Sequence, residues 1–206
     1  MTELFISTFV TFFVVIDPPG CAPIFASLTG TAADAQRRRM AFKSVALAGA
    51  VLLMFGLFGR AFLGALGISL DAFRIAGGIM LFAIAIDMVF ETRTQRREER
   101  AEGVKASREI EDVSVFPMAI PMIAGPGSIA SIMLSMARAE AVAERMVVLG
   151  ALFAVLAICL IALLAAPPLM RIFGQNVEAM VTRLLGVILA ALAAQFVIDG
   201  VRGAFL

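Results

Sequence analysis

The chain has 206 residues, of which 61% are hydrophobic and only 16% are charged, and its mean hydropathy is +0.99. Soluble domains average about 45–50% apolar and about 25% charged residues, so the composition predicts a polytopic membrane protein. The sequence contains no His and two cysteines, Cys21 and Cys159. Without His there is no Ser-His-Asp or Cys-His nucleophile pair, and two cysteines cannot form a four-ligand metal site. We therefore expect no catalytic residue, no metal, no cofactor and no nucleic-acid partner.

Six segments are apolar enough and long enough to cross a bilayer, which takes about 20 residues. They lie at 4–29, 44–66, 73–90, 114–137, 146–166 and 180–201. Two of these segments are interrupted, the first by Asp17-Pro18-Pro19-Gly20-Cys21 and the fourth by Gly125-Pro126-Gly127-Ser128. Pro removes a backbone donor and Gly permits unusual backbone angles. Backbone groups freed in this way are tolerated in a membrane only beside protein or a water-filled cavity.

The two breaks also indicate an internal repeat. Pro19-Gly20 and Pro126-Gly127 lie 107 residues apart, and the third span of each half opens with Arg-x-x-Gly. We predict a three-span repeat over 1–90, a charged, solvated cytoplasmic linker over 91–112 and a second three-span repeat over 113–206. Three crossings per half invert the second repeat. Inverted repeats with matching broken helices are typical of secondary transporters, whose sites lie near the midplane.

Lys and Arg residues near the span ends predict the orientation. With six crossings, twelve lie on the side of the linker and five on the other side, which places both termini outside the cytoplasm. If the two broken segments are instead re-entrant hairpins, 13 Lys and Arg residues lie on the cytoplasmic side and 4 on the other side. The charge counts therefore leave both topologies open. The run before Asp17 lacks a basic n-region, so we do not expect a cleaved signal peptide.

Asp17 is the most informative polar residue. An aspartate at the centre of a span costs about +2.5–3.5 kcal/mol on insertion scales, so it usually faces a cavity or a partner. Its carboxylate is expected to hold a cation, which is a substrate ammonium, a proton or Na⁺. Alternatively it caps the amides that follow Pro18 and Pro19. The two roles are compatible.

The second break is expected to begin a half-helix with Ser128 as its N-cap. Because a helix N-terminus binds carboxylates, the two breaks together predict a pocket for a small zwitterionic amino acid. The alternative is that Gly-Pro-Gly only kinks the helix. We expect Gln195 to bond across helices. The predicted site residues are Asp17, Pro18, Gly20, Cys21, Gly125, Gly127 and Ser128, with Ser131 and Gln195 as secondary candidates.

Over nearly its whole length the chain resembles the MarC/SnatA family of bacterial and archaeal inner-membrane proteins. The resemblance rests on the stretches at 17–23, 77–81, 121–129 and 186–200. It implies an all-α, six-span protein related to LysE-type amino-acid exporters, located in the bacterial inner membrane. For some members it implies transport of neutral amino acids such as glycine and alanine. The family often has Asn where this chain has Cys21, and a thiol lacks the hydrogen bonds of an amide.

We therefore expect a secondary transporter of small neutral amino acids in the lipid bilayer, coupled to H⁺ or Na⁺, with the periplasmic termini given above. The alternatives are a transporter or flippase of another small or amphipathic solute, and a non-transporting scaffold or regulator. A structure with both breaks packed dry would favour the scaffold. The sequence is compatible with a homo-oligomer and does not fix the substrate, the direction or the coupling ion.

Overall fold

The computed structural model describes residues 1–90, 92, 96–99, 102 and 112–205. Throughout these ranges the regular elements are helices: α1 (Thr2–Ile16), α2 (Pro18–Leu28), α3 (Asp34–Ala65), α4 (Leu70–Val89), α5 (Ser114–Ile123), α6 (Pro126–Arg138), α7 (Val142–Leu164) and α8 (Ala166–Phe205). Five candidate membrane spans result, or six when the bent pair of α5 and α6 counts as one. The six coincide with the six predicted segments, which confirms the polytopic all-α fold.

Asp17 is the joint between α1 and α2. Its backbone is left-handed, with φ 58° and ψ 65°, a conformation that L-residues other than Gly, Asn and Asp rarely adopt. Its Oδ1 accepts a hydrogen bond from the Gly20 amide at 3.2 Å. Pro18 and Pro19 occupy the start of α2, where a helix does not need the missing N–H. Asp17 therefore ends α1 and caps α2 within the candidate span Thr2–Leu28.

The second break lies between α5 and α6, which meet at a bend of 53°. α5 is an irregular helix, which is interrupted at Phe116 and Ile120; both residues have extended backbone angles because each precedes a proline. α6 begins at Pro126 with Gly125 as its N-cap. The expectation that Ser128 is the N-cap is wrong, because a proline at the first helical position starts the helix earlier. Such a bend occurs both in broken spans and in re-entrant loops, so the fourth segment fits both predicted topologies. The first segment, Thr2–Leu28, is a single candidate span without such a bend, so the alternative prediction of a re-entrant hairpin is wrong there.

Two helices extend beyond the predicted spans. α3 begins at Asp34 instead of 44, because the polar turn that contains Arg37 continues the helix beyond its apolar part. α8 is one helix from Ala166 onward. Pro167 and Pro168 fall in its first turn, where proline is tolerated, so the chain between the fifth and sixth spans is helical.

The helices of the two halves pack in corresponding pairs. α1 and α2 both pack against α7, and α5 and α6 both pack against α3. The largest contact joins α4 to α8, the last helices of the halves. Exchanging the two halves maps each of these pairs onto its counterpart, as a two-fold relation between inverted repeats requires. The division into repeats at 1–90 and 113–206 stays a prediction.

An apolar cluster fills the space between α1, α4, α6 and α8. We call it the central apolar cluster; its buried members are Val14, Val15, Leu81, Ala85, Met88, Leu134, Leu189, Ala193 and Phe196. A second, larger cluster joins α1 and α2 to α3, α5 and α7. Both broken segments therefore lie inside the bundle, which positions the site described next.

Candidate functional site

A cavity of about 140 Å³ lies against the second break, and we call it the linker-side cavity. Its walls come from α1, α4, α5, the start of α6 and the segment after α4; they are Val15, Ile84, Arg97, Pro121, Met122, Gly125, Pro126, Gly127 and Ser128. The structure thus brings three predicted site residues to one cavity: Gly125, Gly127 and Ser128. The other four, from Asp17 to Cys21, are not among the described residues that line it.

The N-terminus of α6 gives this cavity an electropositive wall. The amides of Gly127 and Ser128 belong to the first turn, where N–H groups have no acceptor within the helix. The helix dipole adds partial positive charge at this end. Pro126 has no N–H and so cannot donate to the carbonyls of Pro121 or Met122, which lie five and four residues earlier. The start of α6 therefore gives the cavity a wall with backbone donors, opposite residues of α5 whose carbonyls receive no bond from Pro126.

The glycines of the second break do more than permit a kink. A Cβ at Gly127 would lie 2.6 Å from Ile84 Cδ1 and 3.2 Å from Val15 Cγ1. A Cβ at Gly125 would lie 2.4 Å from the carbonyl oxygen of Pro121. Only glycine at these positions lets the start of α6 approach α1, α4 and α5 this closely.

Asp17 forms a buried ion pair with Arg97, 80 residues away along the chain. Arg97 Nη1 donates to Asp17 Oδ2 at 2.9 Å, and the two side chains are 8% and 1% exposed. A buried carboxylate without a cation is costly, so Arg97 folds back to the first break. The prediction of a solvated linker over 91–112 is wrong at this residue; much of that stretch lies outside the described residues.

The remaining residues of the first break support this ion pair. A Cβ at Gly20 would lie 2.2 Å from Asp17 Oδ2 and 2.8 Å from Arg97 Nη1, so a side chain there would collide with both partners. The thiol of Cys21 is buried and donates to the carbonyl of Ile16 at 3.4 Å, one of the acceptors left free at the end of α1. The cation that Asp17 was expected to hold is thus a guanidinium of its own chain, and the capping role is present as well.

The secondary candidates lie elsewhere. Ser131 is fully buried, and its Oγ has no hydrogen-bond partner within the described ranges. Gln195 donates to Asp199 at 2.6 Å, one turn along the same helix, so the expected bond across helices is not formed. Gln195 instead lines a smaller cavity of about 60 Å³, the termini-side cavity, with Leu4, Ser7, Thr8, Thr11, Ser135, Arg138, Leu192 and Phe196.

Arg97 was not predicted from the sequence, and of the polar residues of the termini-side cavity Gln195 was predicted, whereas Ser7, Thr8, Thr11 and Arg138 were not. Nothing local distinguishes Arg97 from Arg96, which pairs with Asp87 at 2.5 Å and is 61% exposed. The only signal was indirect, because a buried Asp17 requires a cation from somewhere. Thr8 and Thr11 could have been noticed as hydroxyls on an otherwise apolar helix.

A family model described as MarC family integral membrane protein matches residues 2–205. The chain belongs to the MarC family. A membrane protein of Methanocaldococcus jannaschii is 39% identical over 207 residues, which cover 99% of this chain and 98% of the relative. YvbG of Bacillus subtilis is 31% identical over 100% of this chain and 97% of the relative. YhcE of Escherichia coli is 32% identical over 96% of this chain and 91% of the relative. All three are described as UPF0056 membrane proteins. No solved structure matches the chain.

Membership of the MarC family confirms the resemblance stated from the broken motifs. Together with the six candidate spans, it makes the chain an integral multi-pass protein of a lipid bilayer. The descriptions of the family and of these relatives name no substrate.

Proposed function

We propose that this MarC-family chain is a secondary transporter of small neutral amino acids such as glycine and alanine. One observation carries the proposal: Arg97 and the first turn of α6, with Gly127 and Ser128, line the same cavity inside a bundle of membrane helices. Helix N-termini bind carboxylates through their free N–H groups, and arginine binds them through charge-assisted hydrogen bonds. A cavity at the break also argues against a non-transporting scaffold with dry breaks.

A zwitterion fits the polar groups of the linker-side cavity. In the proposal, its carboxylate binds the amides of Gly127 and Ser128 together with Arg97, and its ammonium binds the carbonyls of Pro121 and Met122. Asp17 then acts through Arg97, by balancing its charge and fixing its position, and does not contact the ammonium as expected from the sequence. Because the charges of Asp17 and Arg97 compensate each other, the site itself carries no net charge. A substrate without net charge, such as a zwitterion, suits this site.

The size of the cavity supports a small substrate. A volume of about 140 Å³ is well below the roughly 300–1,000 Å³ of pockets that hold drug-sized ligands. Its apolar walls, formed by Val15, Ile84 and Met122, can cover a methyl group but offer no polar partner to a longer side chain. Glycine and alanine are the amino acids that meet both limits best.

The proposal includes transport by alternating access of the two repeats in the inner membrane, with the termini on the periplasmic side and with coupling to H⁺ or Na⁺. When Arg97 moves, Asp17 loses its counter-charge. A buried carboxylate that has lost its partner needs another cation. Movement of Arg97 would therefore link substrate passage to uptake of the coupling ion.

Thermal stability tests the binding site directly. Unfolding can be followed with a maleimide dye that fluoresces when it reacts with thiols, because Cys21 and Cys159 are both buried. Glycine and alanine should raise the melting temperature by mass action, whereas glycinamide, which lacks the carboxylate, should not. Arg97→Gln should abolish the shift. Arg96→Gln, one residue away and largely exposed, should retain it.

An equal shift in Arg97→Gln and the wild type would contradict the proposed carboxylate site. The absence of a shift with any amino acid in the wild type would contradict the proposed substrate class. Repeating the measurement with and without Na⁺, and across pH, identifies the coupling ion, since a coupled ion changes the apparent affinity for the amino acid.

A further inference from the structure

The two cavities lie at opposite ends of one antiparallel helix pair. At one end Val15 of α1 lies beside Gly127 of α6, next to the linker-side cavity. At the other end Leu4 of α1 and Arg138 of α6 both line the termini-side cavity. The pair formed by α1 and α6 therefore connects the two cavities along its length.

Three hydroxyls on α6 follow the same line. Ser128 lines the linker-side cavity and Ser135 lines the termini-side cavity, about 10 Å further along the helix axis. Ser131 lies between them at spacings of three and four residues, which place all three on one helix face. Its Oγ is fully buried and lacks a hydrogen-bond partner in the described part of the chain. Such orphaned groups are rare in native proteins and require an explanation.

The central apolar cluster separates the cavities in this conformation. Val15 belongs to the cluster and borders the linker-side cavity, and Phe196 belongs to it and borders the termini-side cavity. Leu134 of α6 is fully buried in the same cluster. A polar solute that moves along α6 would have to cross this cluster, and the hydroxyl of Ser131 is the polar side chain of that helix face between the two cavities.

Each cavity is also lined by an arginine held by an aspartate from another element. Arg97 is paired with Asp17, and Arg138 is paired with Asp199 and lies 4.5 Å from the ring centroid of Phe196. The two ends of the helix pair thus offer the same chemistry, a compensated guanidinium beside small polar groups. This chemistry fits the carboxylate of a small zwitterion at either end.

We propose that the termini-side cavity is the second mouth of the transport path. In this account Arg138 receives the substrate carboxylate there, and the hydroxyls of Ser128, Ser131 and Ser135 contact the substrate as it passes the central apolar cluster. The inference rests on the proposed transport of small neutral amino acids, and it adds a second binding site and the route between the two sites.

The variant Ser131→Ala tests whether the hydroxyl of Ser131 acts in transport or only in the stability of the fold. Because the hydroxyl has no partner, its removal should leave the melting temperature unchanged or raise it. It should also leave the thermal shift with glycine intact, because binding in the linker-side cavity does not use it. Counterflow of labelled glycine in proteoliposomes should fall roughly tenfold, the effect of losing one hydrogen bond of about 1.4 kcal/mol during passage. The matched control is Ser44→Ala, a buried serine of α3 bonded to the Met40 carbonyl at 2.8 Å, which should transport as the wild type does.

Labelling tests the second mouth independently of transport rates. With a membrane-impermeant thiol reagent, Ser135→Cys should react from the side of the chain termini only, and Ser128→Cys from the side of the linker only. Full counterflow by Ser131→Ala, or reaction of Ser135→Cys from the linker side or from neither side, would overturn the inference while glycine binding stands. A wild type without any glycine shift would instead overturn the proposed function, and the inference with it.

Discussion

Asp17 and Arg97 show how a charged pair can be kept inside a membrane protein. Gly20 leaves room for the pair, the Gly20 amide satisfies the second carboxylate oxygen, and the guanidinium reaches the cavity beside α6. Removing one partner of such a pair leaves the other as an uncompensated buried charge, whereas removing both does not. The stability of the site thus depends on the two residues together.

Asp17→Asn should therefore lower the stability of the folded protein by about 3–5 kcal/mol. The double variant Asp17→Asn with Arg97→Gln should recover part of that loss. The loss in the single variant and the recovery in the double variant are both measured as changes of the melting temperature in detergent, which the thiol-reactive dye reports. Asp34→Asn is the control, because its pair with Arg37 is exposed and should be worth less than about 1 kcal/mol. Equal melting of Asp17→Asn and the wild type would contradict the pairing.

Asp112, just before α5, gives the protein a pH dependence. Hydrogen bonds from the side chains of Lys43 and Ser114 lower the pKa of Asp112 from 3.8 to about 2. A carboxyl whose pKa is depressed in the folded state contributes stability above its ordinary pKa and loses that contribution as the pH falls towards about 2. Between pH 3.8 and about pH 2, the melting temperature of the wild type should therefore fall more steeply than that of Asp112→Asn. Because the side chain is 43% exposed, the difference should be small; identical slopes in the two proteins would contradict the assignment.

At the scale of helices, most of the fold follows from the sequence. Span length, composition and the two Pro-Gly breaks predict all six membrane segments, because hydropathy and helix breaking are local properties. The start of α3 and the long N-terminal extension of α8 before the sixth segment were not predicted, because a helix can continue past its apolar part. The helix start at Gly125–Ser128 was predicted as part of the site. Its partner Arg97 was not, because a contact over 80 residues has no local signature.

The contact between α4 and α8 depends on close backbone approach. A Cβ at Gly78 would lie 2.7 Å from Val197 Cγ2 and 2.8 Å from the Ala193 carbonyl oxygen, which belongs to rigid backbone. Small residues that let helices approach in this way are the usual basis of packing within lipid. Gly78 is thus explained by packing.

Gly78→Ala should push α4 away from α8 and destabilise the protein by about 1–3 kcal/mol, as overpacking does. Gly150→Ala on α7 is the matched control. It meets no heavy atom within 4 Å, so it should gain up to about 1 kcal/mol from better helix propensity. Melting temperatures of the two variants decide the point, and a Gly78→Ala protein as stable as Gly150→Ala would rule out the close approach.

At the scale of the whole molecule, the bundle combines two halves that pack in corresponding pairs with cavities at the two ends of α1 and α6. The central apolar cluster separates these cavities. Secondary transporters built from inverted repeats alternate access by moving one repeat against the other around a fixed site. The proposed site fits that scheme, because α6 belongs to the predicted second repeat while Val15 and Ile84 belong to the predicted first repeat.

Counterflow of labelled glycine in proteoliposomes tests the central claim most directly, with wild type, Arg97→Gln and Arg96→Gln compared at equal protein content. We expect that the wild type and Arg96→Gln accumulate label against unlabelled internal glycine, and that Arg97→Gln does not. Accumulation by Arg97→Gln at the wild-type rate, or no accumulation by the wild type with either glycine or alanine, would contradict that claim.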